Sequence, residues 1–140
     1  MTVSGTDPNK KIELRAAIEI ACRGLVYVSE TDAPIVPFFR EKPSGESLSE
    51  TLEKIKKEFG GECSQGPFEE FFSRLARDQT WHTPLQKRTV KKFRALRDLL
   101  RSNLTELAVY KLGRVRVDIL VIGIDERGHV AGIHTRAVET

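Results

Sequence analysis

The sequence contains few of the residues that would place it in a specialised class of protein. Two cysteines in 140 residues are too few for a disulfide framework, and uncharged apolar runs such as Ile119–Ile124 are far too short to span a bilayer. The first residues have neither the basic start nor the apolar stretch of a secretory signal. These absences predict a cytoplasmic protein that does not enter a membrane and that has free thiols at Cys22 and Cys63.

Motifs of enzymatic catalysis are missing as well. The three histidines are His82, His129 and His134. The last two lie five residues apart on one predicted strand, so they point to opposite faces and cannot share a metal ion locally. The sequence has no glycine-rich phosphate loop, no paired-histidine zinc motif and no nucleophile elbow. We therefore predict a protein that is not an enzyme and that has no cofactor of its own.

The composition is that of one soluble domain. The chain is 39% hydrophobic and 31% charged, and its length is sufficient to bury a core. We predict a single domain over residues 1–140, with residues 1–8 flexible. The net charge of +3 is mildly basic, well short of the imbalance of a dedicated nucleic-acid-binding protein.

Apolar residues recur at helical spacing in four segments of the first three-quarters of the chain. The first helix is predicted to begin at Asp7-Pro8 and to end at Gly24. Capping residues or proline then predict helices that begin near the following positions: Ser47, Phe68 and Pro84, the last helix extending to about Asn103. Cys63 is predicted to lie in a glycine-rich turn.

Strand patterns fill the rest of the chain. Val26–Phe39 is predicted to be extended and, because of Pro34 and Pro37, to form an irregular or edge strand. Three alternating segments joined by hairpin signals follow the last helix: Leu107–Leu112, Val115–Ile124 and His129–Val138. The apolar run within the second of these predicts a central strand that is covered on both faces. The fold class is therefore α+β, with a C-terminal three-stranded meander.

The last predicted strand leads directly into Glu139 and Thr140. We expect this strand to hold the α-carboxylate and hydroxyl of Thr140 at a defined place on the surface, with the Glu139 carboxylate beside them. Hard oxygen ligands on a rigid support suit Mg²⁺, Mn²⁺ or Ca²⁺.

Three stretches make the chain resemble the nuclease A inhibitor family. They are Leu25–Pro34, Trp81-His82 and Gly128–Thr140, and the resemblance extends over about residues 12–140. Members of this family plug the active site of a sugar-non-specific DNA/RNA endonuclease. The resemblance implies a three-layer α/β/α sandwich around a mixed, largely antiparallel sheet. It also implies a 1:1 complex with a nuclease of the ββα-metal type.

The resemblance also assigns roles to individual residues. Glu30 stands where the family's inhibitory glutamate is aimed at a cation of the nuclease, and Trp81 belongs to the binding surface. Thr140 reaches the Mg²⁺ or Mn²⁺ of the partner, so it is a metal ligand only in the complex. The predicted contact set also includes the neighbours of these residues: Asp32, His82 and Glu139.

The residues alone leave several alternatives open. The loop around Glu30 has the composition of an ordinary surface loop, and a lone tryptophan such as Trp81 is usually a core anchor. His82 could cap the fourth helix instead of contacting a partner. A divergent relative could also have exchanged the nuclease for another partner, since the basic net charge leaves the identity of the nuclease open.

The alternative function is that of a nucleic-acid-binding module that uses the basic face of the helix Lys87–Arg101. Seven cations lie on this segment against one acidic residue, Asp98. No stacking aromatic residue alternates with them, because Phe93 belongs to the buried stripe. We therefore expect the face to be solvated and do not expect direct binding of nucleic acid.

Overall fold

The computed structural model describes residues 8–60, 62–77 and 81–138, with side chains from residue 13 onward. Within these ranges the chain forms four helices and seven strands in the following order: α1 Pro8–Cys22, β1 Val26–Val28, β2 Asp32–Pro34, β3 Val36–Arg40, α2 Leu48–Phe59, β4 Cys63–Pro67, α3 Phe68–Leu75, α4 Pro84–Asn103, β5 Thr105–Leu112, β6 Arg116–Ile124 and β7 Val130–Val138. Residues 1–7, which make up most of the segment predicted to be flexible, lie outside the described ranges.

The main sheet has five strands in the order β3-β7-β6-β5-β4, and each of its four pairings is antiparallel. The predicted meander is confirmed as β5-β6-β7, and β6 is the central strand, as its apolar run predicts. A separate two-stranded sheet joins β1 to β2. The α+β fold class is therefore confirmed.

Helices cover both faces of the main sheet. On one face, α1, α3 and α4 bury a core that includes Ile18, Phe72 and Leu96 against Ile119 and Val121 of β6. On the other face, Ile55 of α2 packs in a second core with Leu120 and Ile122 of β6. The alternation of β6 side chains between the two cores follows the period of two along a strand. The expected α/β/α sandwich is thus observed, and each fully buried Leu or Ile contributes roughly 1.5–3 kcal/mol.

Local sequence explains where the helices begin. The Ser47 hydroxyl accepts a hydrogen bond of 3.2 Å from the Glu50 amide at the start of α2. At the start of α4, Thr83 and Gln86 form a reciprocal capping box ahead of the run that begins at Pro84. The N-cap of α4 is therefore Thr83 and not His82.

Two elements differ from the sequence-based expectation. Cys63 is the first residue of β4, an edge strand that pairs with β5, and does not lie in a turn. The segment predicted as one extended stretch is divided into the β1–β2 hairpin and β3, which forms the opposite edge of the sheet. The prolines explain the division, because Pro34 ends β2 and Pro37 lies within an edge strand, where a missing amide donor is tolerated.

The two cysteines are both free, but they differ in burial. Cys22 is 4% exposed, and burial raises the pKa of its thiol to about 12, whereas Cys63 is exposed. The thiolate is the reactive form, so we expect iodoacetamide near pH 8 to label about one thiol per native chain and both after unfolding in urea. Equally fast labelling of both thiols in the native protein would contradict the burial of Cys22.

The raised pKa of Cys22 also predicts that stability falls as the pH rises above 9.0, the ordinary pKa of a cysteine thiol, because the unfolded chain loses this proton first.

Candidate partner-binding site

The first part of the site is the turn of the β1–β2 hairpin. Its backbone is closed by a 3.0 Å bond from the Ser29 amide to the Thr31 carbonyl oxygen. The Ser29 hydroxyl reinforces the turn by donating to the same oxygen over 2.9 Å. Glu30 lies at the tip of this turn and is exposed, and Asp32 follows as the exposed first residue of β2. A short, internally bonded turn therefore presents two carboxylates to solvent.

The second part is the end of β7, which is joined to this turn. The Val138 amide donates a 3.0 Å hydrogen bond to the Ser29 hydroxyl oxygen. Three residues earlier, the buried Thr135 hydroxyl donates a 3.0 Å bond to the Pro34 carbonyl oxygen. The end of β7 is thus held against both the turn and the base of the hairpin, and the strand points the chain toward Glu139 and Thr140. These two residues themselves lie outside the described ranges.

A groove of about 480 Å³ opens between the hairpin and the ends of β6 and β7. The Asp118 carboxylate on its wall contacts two side chains of β7. Its Oδ1 atom lies 2.9 Å from His134 Nε2 and 3.2 Å from Arg136 Nε. Arg116 also lines the groove and is directly opposite Val138 in the β6–β7 pairing. The groove is therefore charged, and side chains as well as backbone bonds tie β6 to β7 beside the strand end.

Trp81 lies just before α4, three residues ahead of Pro84. Its side chain is not a core anchor, because the residue is 72% exposed. Its ring contacts the His82 ring edge-on, with 4.5 Å between the centroids. None of the hydrogen bonds or ring contacts seen in the described ranges joins Trp81 to the hairpin. The structure thus brings Glu30 and Asp32 together with the end of β7, and it places Trp81 and His82 as a second position on the surface.

The sequence did not predict that Ser29, Thr135 and Asp118 hold this arrangement together. Asp118 did carry a signal, because it is the one charged residue in the otherwise apolar stretch Val117–Ile124 of β6. Ser29 carried none, since its partner Val138 lies 109 positions away in the sequence.

The described residues contain no group of three or more His, Cys, Asp or Glu side chains that could hold a metal ion. In the same ranges no helix combines the length and apolar character that crossing a bilayer requires. The arrangement around the β1–β2 turn is instead a charged protein surface supported by a rigid strand end. Such a surface suits the binding of another macromolecule more than the enclosure of a small ligand.

A match to a known protein family indicates which kind of macromolecule this surface binds. A model of the nuclease A inhibitor-like protein family matches residues 12–140. The chain belongs to this family. No curated protein matches it at a significant level.

Membership gives the geometry a context. The matched range contains the hairpin turn, Trp81 and the whole of β7. A nuclease A inhibitor-like protein acts by binding a nuclease, which agrees with a surface of exposed charged and aromatic groups. The family therefore indicates a nuclease inhibitor that does not itself catalyse a reaction.

Proposed function

We propose that this protein blocks the active site of a metal-dependent DNA/RNA non-specific endonuclease of the ββα-metal type, as one inhibitor per nuclease. Family membership supports inhibition of a nuclease. The observation that carries the proposal is the hydrogen bond between the Val138 amide and the Ser29 hydroxyl. It holds the strand that leads to Thr140 against the turn that presents Glu30, so both can enter one cleft. The two free thiols fit action in the cytoplasm.

Glu30 supplies the charged contact at the hairpin. Its carboxylate meets a cationic side chain of the nuclease and forms a charge-assisted hydrogen bond, which is bidentate if that side chain is arginine. Asp32 follows on the same hairpin and adds negative potential toward the same cation. Because the turn is closed by its own hydrogen bonds, little conformational entropy is lost when Glu30 is fixed in the complex.

Thr140 supplies the contact with the metal of the partner. A nuclease that works with Mg²⁺ or Mn²⁺ leaves coordination positions for the oxygens of substrate phosphate. The carboxylate and hydroxyl of Thr140 take these positions and contain no bond that the nuclease can cleave, while Glu139 contributes a neighbouring carboxylate. This step is supported by the family resemblance and by the direction of β7, which ends at Val138 beside the turn.

Trp81 supplies the apolar contact. Exposed tryptophan is typical of interface hot spots, because it buries a large area at a low cost in side-chain entropy. His82 contacts the Trp81 ring and lies at the edge of the same patch. An interface of ordinary size, about 1,600 Å² in total, would include both this patch and the hairpin.

A titration tests the proposal. We expect the protein to inhibit a purified ββα-metal nuclease stoichiometrically on both DNA and RNA substrates, with the equivalence point at one inhibitor per nuclease. Size-exclusion chromatography should show a complex of the same composition. Full activity at a micromolar excess over several such nucleases, together with no complex on the column, would contradict the proposal.

Replacing Glu30 by alanine should weaken inhibition without weakening the fold. Loss of one partner of a desolvated charge pair costs about 2 kcal/mol or more, so we expect the inhibition constant to rise roughly 30-fold or more. Glu30 is exposed at the tip of the turn, and contacts of an exposed charged side chain contribute little to stability, so the melting temperature should change little.

Glu53→Ala is the matched control for this substitution. Glu53 is exposed on α2, which covers the face of the sheet away from α1, α3 and α4. Glu53→Ala removes the same charge as Glu30→Ala and should leave inhibition unchanged. If Glu30→Ala instead lowers the melting temperature by several degrees, Glu30 is a structural residue and its proposed contact is wrong.

A further inference from the structure

The basic face of α4 is not uniform along the helix. Its C-terminal cations are engaged within the protein: Arg94 donates a 2.7 Å bond to the Ala76 carbonyl oxygen, Arg97 pairs with Asp98 at 3.0 Å, and Arg101 pairs with Glu69. The N-terminal half differs. Its cations, which we name the α4 cation cluster, are exposed and have no hydrogen bond or ion pair within the described ranges: Lys87, Arg88, Lys91 and Lys92.

These four side chains share one face. At about 100° per residue, they spread over about 140° of the helix circumference, on the side away from the buried Val90 and Phe93, and Lys92 borders the buried stripe one turn before Leu96. Lys87 and Lys91 are one turn apart, as are Arg88 and Lys92, so each pair repels at close range. The α4 cation cluster is thus a compact region of positive charge that faces solvent.

Two members of the cluster, Lys87 and Arg88, lie just past the first turn of α4, where positive charge is unfavourable for the helix. Positive side chains near a helix N-terminus oppose the macrodipole, and the first turn of α4 has no acidic residue to offset them. Four exposed cations on one helix are available to a ligand outside the protein. The cations call for a partner with several closely spaced negative charges.

No stacking aromatic residue lies between the cations of α4, but an exposed tryptophan, Trp81, lies just before the helix. The expectation of a solvated face rested on the absence of stacking side chains between the cations. Trp81 precedes Lys87 by only six positions, and its indole ring is largely exposed. A cationic helix face that begins a few residues after an exposed aromatic ring offers the two kinds of group that bind unpaired nucleic acid, since bases stack on the ring while phosphates meet the cations.

We propose that the α4 cation cluster and Trp81 form a binding surface for single-stranded nucleic acid. The phosphates lie along the four cations, and one base stacks on the indole ring. Stacking distinguishes this occupant from an acidic protein surface, which offers charge without a π-face, and from a closed duplex, whose bases are already stacked. Binding of this kind is independent of base sequence, because every base has a face that can stack.

The single tryptophan of the chain makes the proposal directly measurable. With the protein alone, we expect an oligothymidylate of about 12 nucleotides to quench the Trp81 fluorescence saturably at low salt. Neutralising four phosphates predicts a slope of about −3 in a plot of log affinity against log salt, so binding should weaken roughly 50-fold between 50 and 200 mM salt.

Matched charge variants separate the cluster from the net charge. Arg88→Gln with Lys91→Gln should halve the salt slope and weaken binding at low salt roughly tenfold or more. Lys57→Gln with Arg127→Gln removes the same charge from exposed positions on α2 and on the β6–β7 turn, and it should leave binding unchanged. Trp81→Leu, followed by anisotropy of a labelled oligonucleotide, should weaken binding roughly tenfold. Circular dichroism confirms that each variant is folded.

Several results would overturn the proposal. They are the absence of saturable quenching at low salt, equal weakening by the two charge pairs, or tighter binding of polyglutamate than of the oligonucleotide. The last result would assign the α4 cation cluster to an acidic protein surface. Because no nuclease is present in these measurements, their failure leaves the proposed inhibition untouched, and failure of inhibition does not affect them.

Discussion

Two glycines added after Thr140 should abolish most of the inhibition and leave the fold intact. The extension moves the terminal carboxylate away from the position that it would occupy at the nuclease metal, and it places neutral backbone there instead. Loss of a desolvated charge contact of this kind costs about 3 kcal/mol, which corresponds to a rise in the inhibition constant of roughly 100-fold or more. The extension follows the end of β7, so it should leave the described core and strand pairings in place.

The measurement is the inhibition constant on DNA and on RNA, together with the melting temperature. The control inserts the same two glycines beside the exposed Gly45, in the loop between β3 and α2. The control should inhibit as the natural chain does. A C-terminally extended chain that inhibits equally well would exclude the metal contact while leaving the Glu30 contact possible.

Thr140→Ala separates the contribution of the Thr140 hydroxyl to this contact from that of the carboxylate. It removes the hydroxyl and keeps the carboxylate, so its effect on inhibition should be smaller than that of the extension. Equal losses would assign most of the binding to the hydroxyl instead of the carboxylate.

The parts of the fold that follow from the sequence are those with a long periodic pattern. The four helices have apolar stripes of two or more turns, and β5–β7 are strands of eight or nine residues with hairpin signals between them. The hairpin strands β1 and β2 have three residues each, too few to establish a period of two. In β4, Cys63–Pro67, there is no large apolar residue, because it is an edge strand that is mostly exposed.

The candidate site was also predictable only in part. Glu30, Trp81 and Thr140 could be named because they lie in stretches that resemble a family. Their spatial relation could not be predicted, because it depends on contacts between distant parts of the chain, such as that of Ser29 with Val138. The exposure of Trp81 was also undecided, since a polar connector is compatible with either a buried or an exposed indole ring.

The position of β7 in the sheet links the fold to the proposed activity. It pairs with β3 on one side and with β6 on the other, so its central residues cannot shift without opening two ladders. The end of the strand is then fastened to the hairpin by Ser29 and Thr135. A strand that is held at Val138 beside an internally bonded turn keeps the turn that presents Glu30 in place before a partner arrives, which reduces the entropy lost on binding.

Gly132 is the residue of β7 at which this packing is tightest. It lies opposite Phe38 in β3 and Ile122 in β6. A Cβ atom added at this position would lie 2.0 Å from the Val121 carbonyl oxygen and 2.8 Å from the Ile122 Cα atom. Both atoms belong to the backbone of the central strand, so no side-chain rotation can relieve the overlap.

Gly132→Ala should therefore destabilise the protein by about 3 kcal/mol or more, at the upper end of the usual cost of overpacking. This is a large part of the roughly 5–15 kcal/mol that stabilises a typical domain. The measurement is the free energy of unfolding from urea denaturation, followed by circular dichroism. Gly45→Ala is the control: it also lies at positive φ but in open space, and it should cost only about 1 kcal/mol.

Inhibition by Gly132→Ala should fall in proportion to the fraction of unfolded protein, because the end of β7 is positioned only in the folded state. This differs from the extension after Thr140, which should remove inhibition from a fully folded protein. If Gly132→Ala were as stable as Gly45→Ala, the close approach of β7 to β6 would be wrong. The rigid support on which the contact at Thr140 depends would then have to be sought elsewhere in the fold.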